Sequence, residues 1–234
     1  MIYPVVILAG GIGSRLGRLT KRIPKALIRI NGKPFIHYQL TLLSKQGIKE
    51  VILCVGYLGN KIKKFVGDGK KFNLDVKYSH EKKLLGTGGA IKNAFPLIKK
   101  NFFIMYGDTY LPINFINVQN RYKRLKFNPL ITVYKNQNNL DKSNVFFNGK
   151  RIIYDKKNYL KKMKYIEYGL SIFNKKFFKY FSKKKIFDLS DVFYFLSKKK
   201  LLNYCIVKKR FYEIGSITGL KDSKKYLKSI YKKI

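Results

Sequence analysis

Short apolar runs separated by glycine, proline or polar turns recur along the chain. Val5–Leu8, 51–55 and 102–106 are continuous apolar runs of the kind found in strands buried on both faces. Segment 35–43 instead spaces its apolar residues at helical intervals and ends near Gly47. The order strand, loop, helix, strand predicts a parallel βαβ unit, in which ligands bind at the carboxyl ends of the strands.

The same reading extends over the rest of the chain. Further strands are predicted at 76–78, 130–134, 151–155, 165–173 and 204–207, and further helices at 58–66, 87–98, 175–182, 189–198 and 218–234. No internal repeat or linker interrupts this order, and 234 residues suffice for one sizeable core. We therefore expect one α/β domain over residues 1–234.

Glycines follow the first predicted strand at once. Gly10, Gly11 and Gly13 let the backbone adopt conformations closed to other residues and bring its N–H groups against a bulky anion. Arg15 and Lys25 then offer two cations suited to phosphate oxygens. The stretch therefore predicts a site that grips a polyphosphate.

Two other glycine motifs do not fit this stretch. A dinucleotide fingerprint needs a third glycine three positions after Gly13, where the chain has Leu16. A Walker A motif needs Gly-Lys followed by Ser or Thr, which the chain lacks. An ordinary strand-to-helix turn remains the structural alternative.

The charge is the most unusual feature of the composition. The formal net charge is +39, yet 43 of the 51 basic residues are Lys and they are scattered over the whole chain. A nucleic-acid surface would concentrate Lys and Arg on one face, so we do not expect a nucleic-acid partner. A salt-dependent gel shift with nucleic acid, without nucleotide turnover, would favour the alternative that the protein binds nucleic acid.

Composition also limits the location and the redox chemistry. No apolar run approaches the ~20 residues of a membrane span and the N-terminus lacks a signal-peptide layout, so we expect a cytoplasmic protein without membrane insertion. Cys54 and Cys205 lie in separate apolar runs and are expected to be two buried thiols. His37 and His80 have no second His or Cys nearby and are interpreted as structural.

Acidic residues are scarce, which makes their positions informative. The chain has only 12 Asp and Glu, and Asp108 directly follows the buried strand at 102–106. That position is where an α/β fold would place a Mg²⁺ ligand beside bound phosphates. A turn or capping role for Asp108 is the alternative.

Three linked elements carry a family resemblance. Leu-Ala-Gly-Gly-x-Gly-Ser-Arg-Leu, then Pro-Lys-Ala-Leu, then Gly-Lys-Pro, all within the segment 8–34, resemble the signature of the sugar-1-phosphate nucleotidyltransferases. The likeness extends from Val5 to about Leu227. It implies a Rossmann-like three-layer sandwich with a mostly parallel mixed central sheet, the nucleotide-diphospho-sugar transferase fold. It also implies a nucleoside triphosphate and a sugar 1-phosphate as substrates, with Mg²⁺ as cofactor.

The resemblance also implies roles for individual residues on the nucleotide side. Arg15, Lys25 and Asp108 match the catalytic positions. The match to Leu-Gly-Thr-(Ala/Gly)-Gly sets the segment after Glu81 against the nucleobase and ribose, with Thr87 as a helix N-cap. The implied nucleotide contacts are Leu8, Ala9, Gly10, Gly11, Gly13, Ser14, Arg15, Lys25, Glu81, Leu85, Gly86, Thr87, Gly88 and Gly107.

On the sugar side the chain departs from the family pattern at several positions. Lys157 matches the lysine that holds the sugar phosphate, although Lys156 competes with it and Asn158 replaces a proline. Glu167 stands where Asn is common, and a structural ion pair is its alternative role. The implied sugar-phosphate contacts are Lys157, Glu167, Tyr168 and Gly169, and the implied metal ligands are Asp108 and Glu213, the latter replacing an Asp.

The resemblance also bears on the substrates. The runs Tyr-Ile-Glu-Tyr-Gly-Leu-Ser, Tyr-Asp-Lys-Lys-Asn and Tyr-Glu-Ile-Gly-Ser look most like the heptose 1-phosphate guanylyltransferases of this family, which use GTP and supply GDP-heptose for surface glycans such as lipopolysaccharide or capsule. Mannose-1-phosphate guanylyltransferases and glucose-1-phosphate thymidylyltransferases are near alternatives. The 18 Tyr and 18 Phe would permit a homo-oligomer.

Overall fold

A computed structural model describes residues 1–136, 139–149 and 151–231, with the side chains of all of these except Ser14, Arg15 and Arg18. The described strands are β1 (Val5–Leu8), β2 (Arg29–Ile30), β3 (Lys33–Pro34), β4 (Glu50–Val55), β5 (Asp75–His80), β6 (Asn101–Tyr106), β7 (Thr109–Tyr110), β8 (Leu130–Lys135), β9 (Val145–Asn148), β10 (Arg151–Tyr154), β11 (Tyr165–Asn174), β12 (Asn203–Val207) and β13 (Tyr212–Glu213). The described α-helices are α1 (Phe35–Lys45), α2 (Gly59–Val66), α3 (Gly86–Asn93), α4 (Phe115–Arg124), α5 (Leu189–Lys198) and α6 (Ile217–Tyr231). The described 3₁₀-helical segments are Ser14–Thr20, which is kinked at Gly17, and Lys25–Leu27, Lys70–Phe72 and Lys175–Phe181.

Strand β1 lies inside a large mixed sheet. The hydrogen-bonded order is β10-β9-β11-β6-β1-β4-β5, while β8 pairs with β11 and with β12. Strands β6, β1, β4 and β5 run parallel, and β11 runs antiparallel to both β6 and β8. The predicted mixed sheet with a parallel centre is confirmed.

The alternation of β1 side chains explains why the sheet is covered on both faces. Val5 and Ile7 enter one apolar cluster and Val6 enters another, and all three are fully buried. Helices α1, α2 and α4 supply buried residues to the first cluster, and α3 and α5 supply them to the second. The molecule is therefore a three-layer sandwich. A third cluster joins α1 to α6 beside the main layers.

The helix predicted at 87–98 is the clearest error in the element assignment. Helix α3 begins at Gly86 and ends at Asn93, because Pro96 disfavours helical backbone at the residue before it. Thr87 is not the N-cap of α3, which instead receives its cap from the main-chain oxygen of Phe187, the acceptor for two N–H groups of the first helical turn. A partner 100 residues away cannot be predicted from the local sequence.

Three smaller differences concern the rest of the chain. Helix α4 was not predicted, although Asn114 caps it by accepting the N–H of Asn117. The helix predicted at 175–182 is a 3₁₀ helix over Lys175–Phe181. Cys54 is buried as expected, whereas Cys205 is only partly buried.

Candidate active site

A cleft of about 400 Å³ opens at the carboxyl ends of β1, β4 and β6. It is lined by Leu8, Ala9, Gly10, Gly11, Ile12, Gly13, Lys25, Ala26, Cys54, Glu81, Leu84, Gly86, Thr87, Ala90, Tyr106, Gly107, Asp108 and Asp188. This is the edge of a parallel sheet at which α/β proteins bind their ligands. The glycine turn after β1, Glu81 with the start of α3, and Asp108 are thus brought to one cleft, as the sequence led us to expect.

The glycine turn after β1 forms one wall of the cleft. Gly13 has a φ of +74°, which favours glycine, and a side chain on Gly11 would meet nothing within 4 Å. A Cβ on Gly10 would lie 3.2 Å from the main-chain nitrogen of Gly56 and would clash with the carboxylate of Glu81. The turn therefore exposes backbone to the cleft at Gly11 and is closely packed at Gly10. Ser14 and Arg15, which follow it, have side chains outside the described part of the structure.

Lys25 and Asp108 form an ion pair at the cleft. Lys25 opens the 3₁₀ helix Lys25–Leu27, and its Nζ lies 2.8 Å from Oδ2 of Asp108, which follows β6. The side chains are 16% and 26% exposed, so both charges face solvent from within the cleft wall. Thr109 donates its hydroxyl to the other oxygen of Asp108 at 3.2 Å. This arrangement holds a cation beside the glycine turn, where it could meet phosphate oxygens.

Glu213 reaches the same place from the C-terminal part of the chain. Strand β13 pairs antiparallel with β7, and the N–H of Ile214 donates to the main-chain oxygen of Asp108 at 2.9 Å. The Glu213 carboxylate accepts hydrogen bonds from the Gly215 N–H and the Ser216 hydroxyl. A Cβ built on Gly215 would lie 2.7 Å from Oε2 of Glu213 and 3.3 Å from Oδ2 of Asp108. Nζ of Lys25 lies 3.4 Å from the same position, so the two carboxylates and this ammonium group meet beside Gly215.

These residues fit a Mg²⁺ ion. Mg²⁺ is commonly held by one or two carboxylates and completes its oxygen shell with substrate phosphates and water. Asp108 and Glu213 supply two carboxylates, and the described residues contain no group of three or more His, Cys, Asp or Glu that would form an all-protein metal site. The donor set thus suits an ion that arrives with a phosphorylated substrate.

Glu81 and the start of α3 line the cleft together, and the sequence predicts that a nucleobase would bind here. Oε2 of Glu81 accepts the N–H of Leu85 at 3.2 Å, and burial raises the pKa of the Glu81 carboxyl. Gly86 and Thr87 line the cleft beside it, whereas Leu85 and Gly88 do not. A Cβ on Gly88 would meet the ring of Phe187. The glycines of this segment were expected to let a ligand approach the backbone closely. At Gly88 the ring of Phe187 makes that close approach instead.

Asp188 lines the cleft without having been singled out from the sequence. It precedes α5, and its Oδ1 accepts the N–H and the hydroxyl of Thr87 at 3.0 and 3.1 Å. The sequence showed only an acid near a helix start. The scarcity of acids was the signal that could have drawn attention to it.

The sugar-side residues are only partly brought together. The amide N–H of Gly169 donates to Glu167 at 2.8 Å within an irregular part of β11, and burial raises the pKa of Glu167 to about 7. The positive charge of Lys156 and the hydroxyl of Tyr106 oppose that shift. Because Tyr106 lines the cleft, Glu167 lies next to the cleft wall. Tyr168 lies buried in the cluster on the other face of the sheet.

Lys156 and Lys157 line the same surface pocket, beside Asp155 and Tyr194. The Nζ of Lys157 is 2.9 Å from Oδ1 of Asp191 in α5, and this hydrogen bond raises the pKa of Lys157, whose side chain is 79% exposed. Lys156 takes part in none of the ion pairs between described residues, and its positive charge favours the ionised form of Glu167.

Comparison with known proteins agrees with this geometry. The nucleotidyl transferase family model matches residues 4–229. D-glycero-alpha-D-manno-heptose 1-phosphate guanylyltransferase of Campylobacter jejuni is 34% identical over 213 residues, covering 90% of this chain and 93% of the relative. The enzyme of the same name from Aneurinibacillus thermoaerophilus is 43% identical over 105 residues, covering 44% of this chain and 45% of that protein.

A solved structure shows the same fold. The crystal structure of HddC from Yersinia pseudotuberculosis complexed with GMP-PN superposes with a TM-score of 0.79 at 28% identity, covering 97% of this chain and 100% of that one. The Rossmann-like sandwich, the cleft at the carboxyl ends of its parallel strands and the match over nearly the whole length lead to one conclusion. The chain belongs to the nucleotidyl transferase family.

Proposed function

We propose that the protein transfers a guanylyl group from GTP to a heptose 1-phosphate and releases pyrophosphate. The observation that carries the reaction class is the Lys25–Asp108 pair beside the glycine turn, in a cleft that is also lined by Glu81 and the start of α3. Both named relatives are heptose 1-phosphate guanylyltransferases, which supports this choice of substrates.

The reaction is an in-line exchange at the α phosphorus of GTP. An oxygen of the sugar phosphate forms a bond to that phosphorus, while the bond from it to the β,γ-pyrophosphate breaks and pyrophosphate leaves. The sugar phosphate is already anionic, so no general base is required, and the main difficulty is the repulsion between two anions. The cations and amide N–H groups of the cleft reduce that repulsion.

The chain's own residues have separate tasks in this proposal. The amides of the turn 10–13, together with Arg15, hold the β and γ phosphates. Lys25 holds the α phosphate and the incoming phosphate. Asp108, with Glu213, would bind Mg²⁺, which when present offsets negative charge on the α-phosphate oxygens. Asp108 also fixes the Lys25 ammonium at 2.8 Å, so the cation is in place before substrate binds.

A hydrogen-bond acceptor at the base end favours guanine. Glu81 lines the cleft, and an ionised carboxylate can only accept hydrogen bonds. The pairing edge of guanine offers N–H donors at N1 and N2, whereas uracil and thymine offer a single N–H there. A donor-rich edge suits the Glu81 carboxylate, and a base that leaves such an acceptor unpaired is strongly rejected.

On the sugar side we propose that Glu167 accepts hydrogen bonds from hydroxyl groups of the heptose and that a lysine of the pair 156–157 holds its phosphate. The ion pair of Lys157 with Asp191 supports Lys156 for this task, since Lys156 takes part in no such pair between described residues. We place the reaction in the cytoplasm, where its GDP-heptose would serve lipopolysaccharide or capsule synthesis. The described residues include no helix long and apolar enough to cross a membrane.

The test is a substrate panel. GTP, dTTP, UTP and ATP are each combined with D-glycero-D-manno-heptose 1-phosphate, mannose 1-phosphate and glucose 1-phosphate, and pyrophosphate release is measured with and without Mg²⁺. We expect the highest kcat/KM with GTP and the heptose phosphate, and no turnover after chelation. Preference for dTTP and glucose 1-phosphate would contradict the proposed substrates, and no turnover with any pair would contradict the reaction class.

A further inference from the structure

The starts of α3 and α5 bind each other through two side chains. Oδ1 of Asp188 accepts both the N–H and the hydroxyl of Thr87, at 3.0 and 3.1 Å. In return Oγ1 of Thr87 accepts the N–H of Leu189 at 2.7 Å, so it satisfies a free donor at the start of α5. The segment that lines the base side of the cleft is thereby attached to a helix more than 100 residues away in the chain.

The main chain before α5 strengthens this attachment. The oxygen of Phe187 accepts the N–H groups of Gly88 and Gly89 at 2.9 and 3.1 Å, and the N–H of Phe187 donates to the oxygen of Leu85 at 3.0 Å. A Cβ on Gly86 would lie 2.5 Å from the Phe187 oxygen, so the two segments are in direct backbone contact. The position of 85–89, of which Gly86 and Thr87 line the cleft, is therefore set by the residues that precede α5.

Asp188 is also the N-cap residue of α5, in a capping box with Asp191, whose side chain accepts the N–H of Asp188. Asp188 takes part in none of the ion pairs between described residues, although the chain carries 51 Lys and Arg. Asp191 of the same helical turn is instead paired with Lys157. The side chain of Asp188 reaches across to Thr87, in a chain with only 12 acids.

We propose that Asp188 is a positioning residue for the nucleotide. It acts through Thr87, holding the start of α3 where that segment receives the base and ribose of a guanine nucleotide. The proposal rests on the function proposed above and deepens it, since Asp188 affects the nucleotide and leaves the sugar phosphate alone. The hydrogen bonds to Thr87 need an acceptor oxygen at position 188 and not a negative charge, so asparagine can replace Asp188.

The experiment compares Asp188→Ala, Asp188→Asn and Asn114→Ala with the wild type. Asn114→Ala is the matched control, because Asn114 caps α4 with its side-chain oxygen and does not line the cleft. For each protein we would measure the Kd of GTP by titration calorimetry, KM for GTP and for the heptose phosphate, kcat, and Tm. Removing interactions made equally in ground and transition states raises KM and leaves kcat unchanged.

We expect Asp188→Ala to raise Kd and KM for GTP roughly tenfold, the equivalent of about 1.4 kcal/mol, with KM for the sugar phosphate and kcat within about twofold of wild type. Asp188→Asn should restore GTP binding. Asn114→Ala should lower Tm as Asp188→Ala does, but leave both KM values unchanged.

Two results would overturn the inference. One is a GTP affinity of Asp188→Ala equal to that of wild type despite a lower Tm, which would make Asp188 a helix cap only. The other is equal loss in the Ala and Asn variants, which would make the charge decisive. A wild type that binds GTP without turnover would contradict the proposed function, while the ratios of Kd would still decide the role of Asp188. A wild type that does not bind GTP would contradict both.

Discussion

Replacement of Lys25 by Met separates the catalytic from the structural role of the cleft cation. Its Nζ lies 2.8 Å from Asp108, but both side chains keep contact with solvent, at 16% and 26% exposure. An exposed ion pair contributes about 0–1 kcal/mol to folding and removal of one partner of a buried pair costs about 3–5 kcal/mol, and this partly buried pair lies between the two cases. For a chain of this size, a loss of 1 kcal/mol lowers Tm by about 2–4 °C. Lys25→Met should therefore remain folded.

The expected loss of activity is much larger. A preorganised group that stabilises developing charge in the transition state is worth about 10²–10³ in kcat. The free Asp108 carboxylate would also repel the phosphates once its partner is gone. We therefore expect Lys25→Met to lower kcat at least a hundredfold, measured as pyrophosphate release at saturating GTP and sugar phosphate, with circular dichroism spectra that match the wild type.

Lys99→Met is the matched control. Lys99 also pairs with a carboxylate, Glu50 at the start of β4, and does not line the cleft. Lys99→Met removes the same formal charge as Lys25→Met, but at a site away from the cleft. If only charge within the cleft affects turnover, kcat of Lys99→Met should stay within about twofold of wild type. A kcat for Lys25→Met close to that of wild type, or an equal loss in Lys99→Met, would refute the assigned role.

Three further predictions follow from the same geometry. Asp108→Asn should lower turnover by orders of magnitude and abolish the Mg²⁺ dependence of the residual rate while Tm changes by only a few degrees; a Mg²⁺ titration of pyrophosphate release checks this. Burial raises the pKa of Glu167 from 4.5 to about 7, so the native state retains a proton that the unfolded chain has lost, and the stability this contributes disappears as pH rises from about 4.5 through 7. Glu167→Gln keeps an oxygen that can accept the Gly169 N–H, so at pH 8 its free energy of unfolding should exceed that of wild type by an amount on the order of 2–3 kcal/mol. In urea unfolding at about pH 4.5 this difference should vanish. The same difference in free energy of unfolding at both pH values would exclude a buried charge at Glu167. Lys156→Met should raise KM for the sugar phosphate more than Lys157→Met, because Asp191 already holds Lys157, and the reverse order in steady-state kinetics would return the phosphate contact to Lys157.

Much of the architecture could be predicted from local patterns. Continuous apolar runs such as Val5–Leu8 need cover on both faces, which only a buried, largely parallel sheet supplies. The carboxyl-end location of Gly10 and Asp108 follows from the same argument, since parallel strands end at one edge. These predictions hold because they depend on periodicity and on chain direction.

Contacts between distant segments could not be predicted in this way. The cap of α3 comes from Phe187, so Thr87 as its N-cap was wrong. Asp188 escaped notice because its partner is remote in sequence. Lys156 and Lys157 are neighbours with identical side chains, and only the course of the loop after β10 decides which of them pairs with Asp191. Local sequence carries no information on such pairings.

The most direct test of the account is the structure of the protein crystallised with GTP. The account predicts that the triphosphate lies along the turn 10–13 within hydrogen-bond distance of Lys25, with the guanine directed to Glu81. A triphosphate bound elsewhere, for example on surface lysines away from this turn, would contradict it.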